Sequence, residues 1–168
     1  MKRIPLSLFT FLFLLSGLCA APTKTVWQIG EKNHSASELA LSPDKYKEFL
    51  ANDFGWEDRF YIIGLSSPQK DFPYVLPGPA DHWGGTSYTA GIRTHVLNIL
   101  FGMKEVPETD SWKLIIDLLD THHELPALFK ITINGKSWKY ALPKGSGKSI
   151  DGDYSQIKPH TIEIPLNS

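Results

Sequence analysis

WKLIIDLLDTHHELPALFKITINGKSWKYAL, residues Trp112–Leu142, holds three strand-like runs. The first is Trp112–Asp120, with Trp112, Leu114, Ile116 and Leu118 on one face. The second is Leu128–Ile133, with Phe129, Ile131 and Ile133 on one face and Lys130 and Thr132 on the other. The third is Ser137–Leu142, where Trp138, Tyr140 and Leu142 align. Alternation with a period of two marks strands that lay one face on a core. Asn134-Gly135 separates the second run from the third. A type I′ turn needs positive φ at both central residues, and Asn-Gly meets that need at little cost, so a tight hairpin is predicted there. The centre of the protein is antiparallel sheet.

The chain of 168 residues is long enough for one domain with a sizeable core. Its 42% hydrophobic and 21% charged content excludes disorder and a strongly basic nucleic-acid binder. Five Trp, six Tyr and nine Phe serve either a β core or exposed sugar-stacking platforms.

The N-terminus reads as a secretory signal peptide. Lys2 and Arg3 precede an apolar run, Leu6–Leu18, which is too short to span a membrane. Cleavage after Ala20 leaves residues 21–168 as a single β domain. Cys19 raises the alternative of a lipoprotein, but Leu18 occupies the place where a lipobox wants a small residue. The mature chain then has no cysteine and relies on its core without disulfides. Removing Lys2 and Arg3 from 17 basic residues leaves 15 against 18 acidic, a net charge of −3 that implies no electrostatic partner. The expected location is secreted or periplasmic.

Elsewhere Thr25–Ile29 and Ala36–Leu41 read as a first and a second strand. Ser42-Pro43 reads as a helix start, with Ser42 as N-cap and Tyr46, Phe49 and Leu50 on the packed face up to Asn52–Gly55. Arg59–Ile63 is a strand. Residues 66–91 are rich in Pro, Gly and aromatics and read as a long ordered loop. Ile92–Met103 reads as a central strand, Pro143–Ser155 as a loop and His160–Ile164 as the last strand. About eight short strands with one short helix predict an all-β, antiparallel β-sandwich of the jelly-roll type.

No catalytic constellation stands out. Asp117, Asp120, His122, His123 and Glu124 cluster where a strand leaves the sheet, but adjacent histidines on extended backbone point to opposite sides and chelate poorly together. Asp151-Gly152-Asp153 resembles part of a calcium loop without the glutamate that would complete it. A structural calcium ion is therefore the one cofactor considered, and no other is expected. Gly145-Ser146-Gly147-Lys148-Ser149 lacks the strand–loop–helix context of a phosphate loop and reads as a flexible loop.

The aromatic loop carries the strongest binding signal. Asp81-His82-Trp83-Gly84-Gly85 sets a large aromatic among polar and small residues. Trp83, Tyr88 and Trp56 are candidate sugar platforms, with Asp81, His82 and Arg93 as hydrogen-bonding partners. The alternative is that Trp83 plugs the core, because Gly84-Gly85 admits either a ligand or a neighbouring strand.

VWQIGEKNHSASEL (26–39), FGWEDRFYIIG (54–64), DFPYVLPGP (71–79) and LFKITINGKSW (128–138) together resemble domain III of the rhamnogalacturonan lyases, polysaccharide lyase family 4. The opening W-x-I-G with the following S-A-x-E is the most telling piece. The resemblance implies a galactose-binding-like jelly roll of the carbohydrate-binding kind. It carries over no catalytic residue, because the catalytic lysine and histidine of that family sit in a separate N-terminal domain. Family members continue past the strand equivalent to His160–Pro165. This implies either a domain truncated at its C-terminal end or a missing edge supplied by another chain.

Three functions follow. The first is a secreted carbohydrate-binding accessory domain for pectic polysaccharide, with a catalytic domain on another chain as a further partner. The second is a lyase or glycoside hydrolase on pectic sugars, using acids near Asp81 or Asp120. The third is a structural appendage that touches no sugar. No nucleic-acid partner and no membrane span are expected.

Overall fold

A computed structural model describes residues 24–45, 48, 59–76, 78, 96–103 and 112–166. Among them are six strands: β1 (Arg59–Ile62), β2 (Leu97–Leu100), β3 (Lys113–Leu118), β4 (Leu128–Ile133), β5 (Lys136–Ala141) and β6 (His160–Pro165). One α-helical turn, α1, covers Pro68–Asp71, and a 3-10 turn covers Ser149–Asp151.

The hairpin forms as its residues demand. β4 pairs antiparallel with β5, from Ile133 opposite Lys136 out to Leu128 opposite Ala141. Asn134 and Gly135 take φ of 48° and 83°, the left-handed values that a two-residue turn requires. β3 does not join this hairpin. It pairs antiparallel with β6, from Lys113 opposite Pro165 to Leu118 opposite His160.

The two pairs meet through their apolar faces. Leu142, Ile162 and Ile164 are buried, and Leu114, Ile116, Leu118, Phe129, Ile131, Trp138 and Tyr140 pack around them. Alternation delivers all of these to one side, while Lys113, Asp117, Lys130 and Lys139 face solvent. Burying a side chain such as Ile164 contributes about 1.5–3 kcal/mol.

β1 and β2 form the third pair, and they run parallel, with Arg59 beside Leu97 and Ile62 beside Leu100. The all-β expectation stands, but the antiparallel one does not extend to this pair. Ile92–Met103 was also expected to be central. Among the described residues β2 has β1 as its sole ladder partner, and Leu100 and Phe101 are exposed; residues 92–95 lie outside the described set. A run of apolar residues records its own hydrophobicity but not whether both faces find cover.

Three further expectations are corrected. Thr25–Ile29 joins no ladder among the described residues, and the Trp27 ring instead lies 5.2 Å from that of Phe101. Ala36–Leu41 is a turn in which Ala40 alone bridges to Pro73. Its approach is folded by local bonds, Ser35 N–H to Asn33 Oδ1 and Ser37 N–H to Ser35 Oγ, which compete with a ladder. Ser42 is not an N-cap, because its Oγ is buried without a hydrogen-bond partner. Glu48 is helical, whereas Tyr46, Phe49, Leu50 and residues 52–55 lie outside the described residues. The described helical turn, α1, falls inside the stretch read as irregular. Pro68 occupies its first turn, and the Asp71 carboxylate accepts the Ser67 N–H at 2.7 Å.

Candidate functional site

All six residues proposed for sugar contact, Trp56, Asp81, His82, Trp83, Tyr88 and Arg93, lie outside the described residues. The segment that precedes most of them is described as far as Leu76. Tyr74 N–H bonds Ala40 O, its hydroxyl donates to Ile150 O at 2.7 Å, and Phe72 meets Tyr61 edge to face.

The acid and histidine cluster is fully described. Asp120 leaves the end of β3 and its carboxylate gathers two distant loops. Oδ1 accepts the Ser146 N–H at 2.7 Å and the Lys158 N–H at 3.4 Å. Oδ2 accepts the Ser146 hydroxyl at 2.5 Å and the Lys148 N–H at 3.2 Å. Burial pushes this carboxyl up, but the bonds from Ser146, Thr121 and Lys158 outweigh it and hold the group below the ordinary carboxylate range. The result is a committed anion, unsuited to act as a general acid.

The backbone completes the clasp. Gly145 N–H bonds His122 O and Gly147 N–H bonds Thr121 O. Gly145 lies so close to Thr121 and Asp120 that no side chain fits there. The segment 145–149 reads as a flexible loop, but its residues 145–148 are thus tied down by partners that include Asp120, 26 residues before Ser146.

His122 caps the next turn, its Nδ1 accepting the N–H groups of Glu124 and Leu125 at 3.1 and 3.0 Å. The His122 and His123 rings stack with centroids 4.5 Å apart, so the two side chains lie together rather than on opposite sides. The bend at 123–125 breaks the extended geometry on which the opposite-sides expectation rested. Asp117 is engaged as well. Its Oδ1 accepts Lys32 Nζ at 2.7 Å and Thr161 Oγ1 at 2.5 Å. Burial raises its carboxyl, and the bonds from Lys32 and Thr161 reverse the sign and lower it.

Asp153 Oδ1 takes both the N–H and the hydroxyl of Ser155 at 3.0 and 2.6 Å. Among the described residues no group of three or more His, Cys, Asp or Glu side chains is arranged to hold a metal ion. None of their helices is long and apolar enough to cross a membrane.

The W-x-I-G and S-A-x-E residues have a structural task. Gly30 has φ 72°, and a Cβ placed there would lie 2.9 Å from Glu38 Oε1. The same oxygen accepts the Glu31 N–H at 2.7 Å. Gly30 and Glu38 therefore close the loop that carries Trp27 onto Phe101.

The hairpin holds a feature that period-two alternation alone does not announce. Lys130 and Lys139 stand directly opposite each other on its exposed face.

A family model described as CBM-like, polysaccharide lyase family 4, domain III matches residues 25–164. No curated protein and no solved structure matches the chain.

Proposed function

The chain belongs to the CBM-like family that forms domain III of polysaccharide lyase family 4, and from that premise we propose that it is a secreted accessory domain that binds pectic polysaccharide and performs no catalysis of its own. The observation that carries this reading is the family match across residues 25–164. The state of the acids supports it. Asp117 and Asp120, the described carboxylates nearest a cluster with catalytic potential, are consumed by Lys32, Thr161, Ser146 and the backbone of Lys148 and Lys158. The proposed contacts remain Trp83, Tyr88 and Trp56 as stacking platforms, with Asp81, His82 and Arg93 bonding hydroxyls.

A tryptophan-fluorescence titration with rhamnogalacturonan fragments tests the reading. A saturable shift that is lost in a folded Trp83→Ala variant supports it. A saturable shift that survives this substitution moves the platform elsewhere.

One observation favours a second reading, a structural appendage on a separate catalytic domain. Phe60 and Ile62 of β1 and Leu100 of β2 share a face and are 59%, 39% and 48% exposed, with Leu65, Phe101 and Met103 exposed nearby. Exposed apolar side chains gathered on one face of a strand pair, as Phe60, Ile62 and Leu100 are, suit protein contact better than solvent. The absence of any shift across a panel of pectic fragments, from folded protein, would favour this second reading.

A further inference from the structure

The outer face of the β4–β5 hairpin has an unusual charge arrangement. Lys130 and Lys139 are cross-strand partners, both exposed. Directly opposed side chains in an antiparallel pair have Cβ atoms about 5 Å apart, and like charges so placed destabilise the sheet. A glutamate at either position would turn that repulsion into a stabilising pair. Neither ammonium group has an ion-pair or hydrogen-bond partner among the described residues. The arrangement extends along the chain, for from Pro126 to Ser149 there are five lysines and no acidic residue.

The neighbours on the same face suit a hydroxylated ligand. Thr132 and Ser137 are also cross-strand partners, with hydroxyl oxygens 2.8 Å apart, and both are exposed. On the other side of the lysines Leu128 is 65% exposed opposite Ala141. The face therefore presents hydroxyls, two cations and an apolar side chain in sequence.

We propose that this hairpin face is a docking surface for an acidic polysaccharide, with Lys130 and Lys139 sharing a carboxylate of one bound chain and Thr132 and Ser137 bonding its hydroxyls. The proposal rests on the carbohydrate-binding reading above and adds to it a second surface, one that engages the carboxylates of the ligand. The bound anion relieves the repulsion that the free hairpin carries. The two cations stand in solvent, so their contribution is screened as salt rises.

The test uses the full mature chain and two probes, polygalacturonate and its carboxyl-reduced neutral counterpart, at low and high salt. Lys130→Gln with Lys139→Gln should weaken polygalacturonate binding about tenfold at low salt and flatten its salt dependence. Binding of the neutral polymer should not change. Thermal melting should hold or rise, since a repulsive pair has been removed, which separates lost binding from lost folding. Equal binding of both polymers by the wild type, or unchanged polygalacturonate binding by the double variant, overturns the proposal and leaves the carbohydrate-binding reading standing. Failure of the wild type to bind either polymer overturns the proposal, and the rhamnogalacturonan titration above then decides the carbohydrate-binding reading separately. Binding of duplex DNA or of anionic lipid vesicles as tight as that of polygalacturonate, lost in the same variant, overturns the assignment to a polysaccharide.

Discussion

Asp120 receives two hydrogen bonds from Ser146, one from its backbone N–H at 2.7 Å and one from its hydroxyl at 2.5 Å. This pair joins the end of β3 to the loop after β5 and, through Lys158, to the approach to β6. Replacement by Asp120→Ala removes the acceptor for the N–H and hydroxyl of Ser146 and for the N–H groups of Lys148 and Lys158. Bonds to a charged group are stronger than neutral ones, though this one is partly solvated, so the loss should be about 2–3 kcal/mol. Ser146→Ala removes only the hydroxyl and should cost about 1 kcal/mol. Urea unfolding of both single variants and the double should give a coupling of at least about 0.5 kcal/mol. Strict additivity would mean that the pair does not act as a unit.

The same carboxylate makes stability depend on acid. Its folded value lies below the ordinary one, so the unfolded chain takes up the proton first as pH falls. The stabilisation is therefore fully present above the unfolded value, about 3.9, and disappears as pH drops through the lowered folded value. Asp117, lowered by Lys32 and Thr161 against burial, acts in the same direction. Urea midpoints taken from pH 6 downward should show the gap between wild type and Asp120→Asn closing below about pH 4. A gap that stays constant would mean that the charge on Asp120 contributes nothing.

Two glycines with positive φ should respond differently to alanine. Gly30 is held at 72° with Glu38 Oε1 in the way of a Cβ, whereas Gly135, at 83°, has nothing within 4 Å. Gly135→Ala carries only the backbone penalty, about 1 kcal/mol. Gly30→Ala adds the displacement of the Glu38 carboxylate and should cost about 1 kcal/mol more. Equal losses in chemical denaturation would show that Glu38 gives way freely.

The core predicts a contrast along neighbouring strands. Ile164 is fully buried and Ile115 is 44% exposed on the outer face of β3. Ile164→Ala should destabilise by about 3 kcal/mol, within the range for deleting a buried aliphatic chain, and Ile115→Ala by less than about 1 kcal/mol. Comparable losses would contradict the assignment of faces.

Local chemistry determined a definite share of this protein. Asn134-Gly135 and the alternation on either side of it specify the hairpin, since a two-residue turn leaves one register. That register already places Lys130 opposite Lys139. The apolar sides of β3 and β6 are legible for the same reason, because a period of two assigns each side chain a face. The family too is legible, through motif residues whose spacing survives without any knowledge of contacts. Partnership is not, because alternation says which face is apolar and nothing about which strand lies beside it. Hence β3 pairs with β6 across some 40 residues, and β1 with β2 in parallel. The Asp120 clasp is hidden likewise, for its carboxylate finds Ser146 only once both strands are placed. Thr25–Ile29 reads as a strand from its β-branched and aromatic residues, but tertiary packing set Trp27 against Phe101, and among the described residues it has no ladder. Propensity and pattern are properties of a segment, whereas pairing and burial belong to two segments at once, and only the folded chain brings those together.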